Sequence, residues 1–281
     1  MKNRWLITVL SGIIVATGVL GLSATPEGTS NEKEKDQPKK EDIKKIVTDA
    51  FTKISSSKGY HFKGERKTTS MMGRGMGAPN IPTSLEGLTM NHYKSDVISD
   101  TTLTYMTFET KMMSSSQKNA LYQQGKKRYC LNLADGKQID NPTQTPAAQI
   151  EMLKDSLSDF TLIKDAKPDD SNCFVVTATI GAKGADFIMD SIPKMMMLST
   201  MDIKRSYTQS TLAIWIDKDT NLPRKISYLL EATSEISMGQ SEGKMKGPNQ
   251  QILQEVSFYD YGKDIEIELP PEVKEFLESK S

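Results

Sequence analysis

Methionine is the residue type in this 281-residue chain that first suggests chemistry, with 16 copies. Met71, Met72 and Met76 stand among glycines in MMGRGMGAPN (Met71–Asn80), Met238 and Met245 recur in MGQSEGKMKGPN (Met238–Asn249), and Met195, Met196, Met197 and Met201 form a third cluster. Thioethers are soft ligands for Cu(I), and they are also adaptable apolar surface. Copper sites usually add His or Cys, and neither methionine–glycine stretch contains one. Gap filling in a large cavity wall therefore ranks first, an adjustable lipid-facing surface second and copper third.

Other reactive constellations are sparse. His61 and His92 are the only histidines, and they fall in different expected strands without HxxxH or HExxH spacing. Gly73, Gly75 and Gly77 imitate a phosphate-binding loop, but Pro79 and Pro82 follow where a helix is needed. Asp217-Lys218-Asp219-Thr220-Asn221 opens like a calcium loop, yet Leu222 occupies the glycine position and Tyr228 the bidentate glutamate position, so a turn is expected. No catalytic residue, metal site or cofactor is expected, and enzyme is the weaker class. Cys130 (KRYCLNL) and Cys173 (NCFVVTAT) lie in apolar alternating runs; they are a candidate disulfide pair, with two buried free thiols in separate strands as the alternative.

The elements that would position these residues begin after a leader. Lys2 and Arg4 precede the uncharged run Trp5–Leu22 and small residues at Ser23 and Ala24, the pattern of an export signal. Cleavage near Ala24 is expected, with a retained anchor as the alternative; no cysteine precedes Cys130, so a lipidated anchor is not expected. Residues 25–41 read as a charged flexible linker and 42–281 as one folded domain, placed in the periplasm or cell envelope. Lys+Arg and Asp+Glu both number 36, so no basic excess draws the chain to nucleic acid.

Ile43, Ile46, Val47, Ala50, Phe51 and Ile54 have the spacing of a one-sided helix, and Gly59 is placed to end it. The period then becomes two, with strands expected near 59–69, 87–98, 101–112, 119–124, 127–133, 172–181, 210–217, 224–235 and 251–261. Leu212, Ile214 and Ile216 fall on one face and Thr211, Trp215 and Asp217 on the other, as in antiparallel sheet with one wet face. Thr145-Pro146 starts a second helix with the stripe Ile150, Leu153, Leu157 and Phe160, and Pro271–Glu278 a closing one. Gly184–Met201 reads as a broken helix or lid-like loop, because Pro193 forbids a continuous one.

Ala213–Glu231, AIWIDKDTNLPRKISYLLE, resembles a late hairpin of the LolA/LppX family of exported lipid and lipoprotein carriers: a strand ending Trp-Ile-Asp, an acidic-Thr turn, Leu-Pro, then a basic strand. Tyr259–Pro271, YDYGKDIEIELPP, resembles the family's closing motif, and the order of helix and strands is similar over most of the chain after the leader. The resemblance implies an α+β fold in which a strongly curved antiparallel sheet, an incomplete β-barrel, has helices packed on its concave face. It also implies an apolar small molecule, a lipid or a lipoprotein acyl chain in the concavity, with transient membrane contact and a lipoprotein or envelope protein as partner. Met195, Met196, Met197 and Met201 are the candidate cavity rim, and Met71–Asn80 and Met238–Asn249 are expected to be mobile hairpin loops. A polypeptide-binding sensor domain is the second reading, and a methionine-rich copper protein the third.

Overall fold

The computed structural model describes residues 39–72, 76–77, 81–94, 101–112, 115–163, 172–191, 202–237, 244–263 and 265–278. The described chain enters on α1 (Lys40–Ser56) and continues through β1 (Gly59–Met72), β2 (Met76–Gly77), β3 (Ile81–Tyr93), β4 (Thr101–Met112), β5 (Ser115–Gln124) and β6 (Lys127–Asn132). After α2 (Pro146–Lys154) come β7 (Leu157–Ile163), β8 (Cys173–Ile180), α3 (Ala182–Met189), β9 (Asp202–Asp217), β10 (Pro223–Ser237), β11 (Lys244–Lys246), β12 (Asn249–Tyr259) and α4 (Pro271–Glu278). Helix α1 starts inside the stretch expected to be linker, because the Lys39 N–H donates to Asp42 Oδ2 at 3.0 Å and closes the first turn.

One antiparallel sheet runs in the order β6-β5-β4-β3-β1-β12-β10-β9-β8-β7, with β2 added to β1 and β11 to β10. The row ends at β6 and β7, so the sheet is open and not closed into a barrel. Cys130 on β6 and Phe160 on β7 nevertheless share one core with Ile54 of α1, Ile150 of α2 and Ile188 of α3. The sheet therefore curls around three helices on its concave face.

Alternation explains which residues face those helices: Leu212, Ile214 and Ile216 are fully buried inward, as their period of two requires. The connection after them is the expected tight hairpin. Asp217 Oδ1 accepts from the Thr220 N–H at 2.7 Å, the Thr220 hydroxyl at 2.8 Å and the Asp219 N–H at 3.1 Å, while its other oxygen pairs with Arg224. Burial pushes this carboxyl up, but the Thr220 and Arg224 contacts outweigh burial and hold it below its ordinary range. Trp215 faces Lys225 across the ladder, with Nζ 3.9 Å from its ring centroid.

Several expectations are corrected. Strand β3 starts at Ile81, not near 87: Pro82 faces Lys67 of β1, but the ladder to β4 begins only at Thr83, so the missing N–H leaves that ladder intact. Leu157 and Phe160 do not extend the second helix; Asp155 and Ser156 turn the chain after Lys154, and both residues lie in edge strand β7. The second face is not uniformly wet. Trp215 is only 3% exposed, within a small cluster with Cys173, Val175 and Ala213. Helix α4 packs on that second face as well, setting Val273 and Leu277 against Leu103, Ala120 and Tyr122. Cys130 and Cys173 are both buried, one in the concave core and the other in the opposite cluster, and they are not bonded to each other, so the candidate disulfide is not formed.

Candidate functional site

At the Gly59 end of β1, the inward positions of the sheet turn polar. Tyr60 on β1, Thr89 on β3, Thr104 on β4, Gln123 on β5 and Arg128 on β6 form a row, and Asn91 and Thr102 line the groove beyond it. Opposite stand Ile54 of α1, Ala147, Ala148, Ile150 and Met152 of α2, and Phe187 of α3. A groove of about 690 Å³ separates the two walls. The sheet wall offers hydrogen bonds, and the helix wall sets these apolar side chains beside Ser55, Thr145 and Ser156 and the charged Glu151, Asp155 and Lys183, a mixed lining that suits a molecule with both apolar and polar parts.

The polar wall is built by cross-strand contacts. Thr89 and Thr104 share a hydroxyl hydrogen bond at 3.1 Å. Asn91 Nδ2 donates to the Ile54 and Ser57 carbonyls, each at 2.9 Å, closing the last turn of α1 and fixing where that helix meets the sheet. Arg128 donates to the Asn141 carbonyl at 2.7 Å and to the Thr143 carbonyl. Burial pushes the Tyr60 hydroxyl up to about 12 and the Cys130 thiol, next to Arg128, up to about 11.

A second polar row crosses the middle of the concave face. Register places Arg66 on β1 opposite Gln254 on β12, and Gln254 opposite Tyr228 on β10. Gln149 of α2 ties this row to the helices: it accepts from Gln254 Nε2 at 2.9 Å and donates to the Tyr228 hydroxyl at 3.3 Å. Arg66 is 4% exposed and, among the described residues, reaches only neutral partners, Ser191 Oγ at 3.3 Å and Thr143 Oγ1 at 3.4 Å. Burial lowers its pKa and raises that of Tyr228.

Met195, Met196, Met197 and Met201, the candidate rim, lie outside the described residues, as do 73–75 and 78–80 of the Met71–Asn80 connection and 238–243 of the Met238–Asn249 connection. Register still shows where their flanks meet. Met71 pairs with Asn249 and with Gly77, Ile236 pairs with Met245, and Ser237 pairs with Asp202, so all three stretches adjoin strand ends on one end of the sheet. The sheet wall of the groove is at the other end. Sequence reasoning missed that wall, although a signal existed: Arg66 is in phase with inward Tyr60 and Phe62, and Arg128 with inward Cys130.

No family model and no curated protein matches this chain. Among solved structures, it is similar to LprF from Mycobacterium bovis at 12% identity, covering 84% of this chain and 99% of that one, with a TM-score of 0.42. It is also similar to a DUF1329 family protein from Desulfovibrio piger (12% identity, 80% and 93% covered, TM-score 0.32) and to LolA superfamily protein NE2245 from Nitrosomonas europaea (10% identity, 82% and 96% covered, TM-score 0.28). A LolA superfamily protein thus stands among the similar structures, the family that the hairpin motif resembles. The fold class itself rests on the strand order and helix packing described above.

Proposed function

We infer that this chain is an exported carrier or sensor that binds an apolar ligand, a lipid or the acyl chain of a lipoprotein, between its curved sheet and its helices. The observation that carries the reading is the groove of about 690 Å³, walled by Ile54, Ile150, Met152 and Phe187 on its helix side. Its volume lies in the range of small-molecule sites. The leader Lys2–Ala24 supports export, and the resemblance of Ala213–Glu231 to the LolA/LppX hairpin supports a lipid cargo. Met195, Met196, Met197 and Met201 are proposed as an adjustable rim; since the Asp202 flank lies at the sheet end away from the Arg128 wall, such a rim would meet the far end of a long ligand or a membrane surface and not the polar wall.

Native mass spectrometry of the protein purified from its own cell envelope tests this. Discrete adducts of lipid mass, removed by delipidation and restored by added lipid, are expected. A bare mass, together with no uptake of the neutral probe N-phenyl-1-naphthylamine, would overturn the reading. N-terminal sequencing of the same material is expected to start near Thr25; an intact Met1 in carbonate-resistant membranes would mean an anchored form.

A further inference from the structure

We propose that the groove is selective for amphiphiles with an oxyanion headgroup, a carboxylate or phosphate, held at Arg128 with Arg66 adding positive potential from behind. This rests on the groove being a ligand site at all. Arg66 and Arg128 converge on one residue: Arg66 donates to the Thr143 hydroxyl and Arg128 to the Thr143 carbonyl. Among the described residues neither guanidinium has a carboxylate within ion-pair distance. Asp140 lies beside Arg128 in an adjoining pocket and acts on it only at longer range.

Two guanidiniums joined through a neutral residue, one of them almost wholly buried, are an expensive arrangement unless an anion completes it. Arg128 is bonded closely through Nη2 alone, and the bonds of Arg66 are long. Charge-assisted hydrogen bonds run at about 2.7–2.9 Å, whereas those from Arg66 are 3.3 and 3.4 Å. Nε of both side chains is buried without a partner. Arg128 lines the groove, whose mouth also carries Lys126 and Lys183 against Glu151 and Asp155, and Glu151 is engaged by Lys154 at 2.7 Å. An oxyanion would accept from Arg128 Nη1, which is neither buried nor hydrogen-bonded among the described residues, since Nη2 is committed to the Asn141 and Thr143 carbonyls and Nε is shielded; its chain then lies along Ile54, Ile150 and Phe187. In a site screened by helices the field of Arg66 adds to that attraction.

The test is displacement of N-phenyl-1-naphthylamine from the full-length protein by dodecanoate, dodecyl phosphate and dodecan-1-ol at pH 8. At least one anion is expected to compete about tenfold more tightly than the alcohol, the gain of one charge-assisted contact. Which anion does so distinguishes a fatty-acid carboxylate from a lipid phosphate. Arg128→Gln should bring the three competitors within about twofold of one another, each measured relative to the probe's own affinity for that variant. Arg128→Lys should restore part of the preference. Equal competition by all three against the native protein overturns the headgroup assignment while leaving the groove reading intact, and this comparison needs no variant to fold. A preference that survives in well-folded Arg128→Gln also overturns it. Failure of the probe and every amphiphile to bind would remove the groove reading, and this proposal with it.

Discussion

The concave face has two halves built on the same alternation, and they end differently. On β8, β9, β10 and β12 the inward residues include Val176, Leu212, Ile214, Ile226, Leu230 and Val256, all in one dry core with α1, α2 and α3. Near the Gly59 end of β3–β6 the inward residues are Asn91, Thr104, Gln123 and Arg128, and there the helices stand off to leave the groove. Apolar side chains lower their free energy when helices press down and exclude water. Polar ones need partners, which the helices supply only at particular points, such as the Ile54 carbonyl for Asn91 and Gln149 for Gln254. Residue type at in-phase positions thus decides where a curled sheet fills and where it stays open, and the row Arg66, Gln254, Tyr228 with Gln149 is the seam between the halves.

The largest expected effect breaks the filled half alone. Leu212→Ala, at a fully buried position, should cost about 2–5 kcal/mol in denaturant unfolding, with probe uptake per folded molecule unchanged. A loss of uptake in parallel would show that the two halves are one unit.

Next comes the alkaline limb, which asks how well the open half is shielded. The Cys130 thiol is pushed up to about 11 and the Tyr60 hydroxyl to about 12 in the folded state. The unfolded chain then releases these protons first. The stability they contribute is whole below the unfolded thiol range and is lost as pH rises through the folded values. Unfolding midpoints measured from pH 8 upward should fall, and ultraviolet titration should show the thiolate forming late. Thiolate formation at the ordinary value would mean that water reaches β6 freely.

Asp217→Ala removes three hydrogen bonds and an ion pair at the hairpin, remote from the groove wall on β3–β6. It should cost about 1–2 kcal/mol without altering ligand competition. Smaller and opposite in sign, Arg66→Met should stabilise the ligand-free protein by about 1 kcal/mol, since it removes a buried charge that no carboxylate among the described residues compensates. A destabilisation of several kcal/mol would show that Arg66 is already compensated. The smallest change in stability, under about 0.5 kcal/mol, is expected for Gln123→Leu, whose Oε1 is buried without a partner; ligand discrimination should shift instead.

The same contrast explains what could be read from residues alone. Helix α1, most strands and the Asp217–Pro223 hairpin were legible because apolar periodicity and turn chemistry are local. Leu157 and Phe160 misled because spacings of three and four continue past Lys154 into a strand whose own period also fits Phe160. The position of α4 was not legible, since its amphipathic pattern names no face of the sheet to cover. The groove stayed hidden for a similar reason. Thr89, Thr104, Gln123 and Arg128 are scattered over four strands, and only the register brings them into a row.

Photo-crosslinking with a long-chain fatty acid carrying a mid-chain diazirine, followed by peptide mapping of the full-length protein, tests the central claim most directly. Labels on Ile54, Met152 and Phe187, competed away by unlabelled lipid, are predicted, because these residues form the helix wall of the groove. Competable labels confined to the methionine-rich stretches, or none at all, would contradict a ligand lying between the helices and β3–β6.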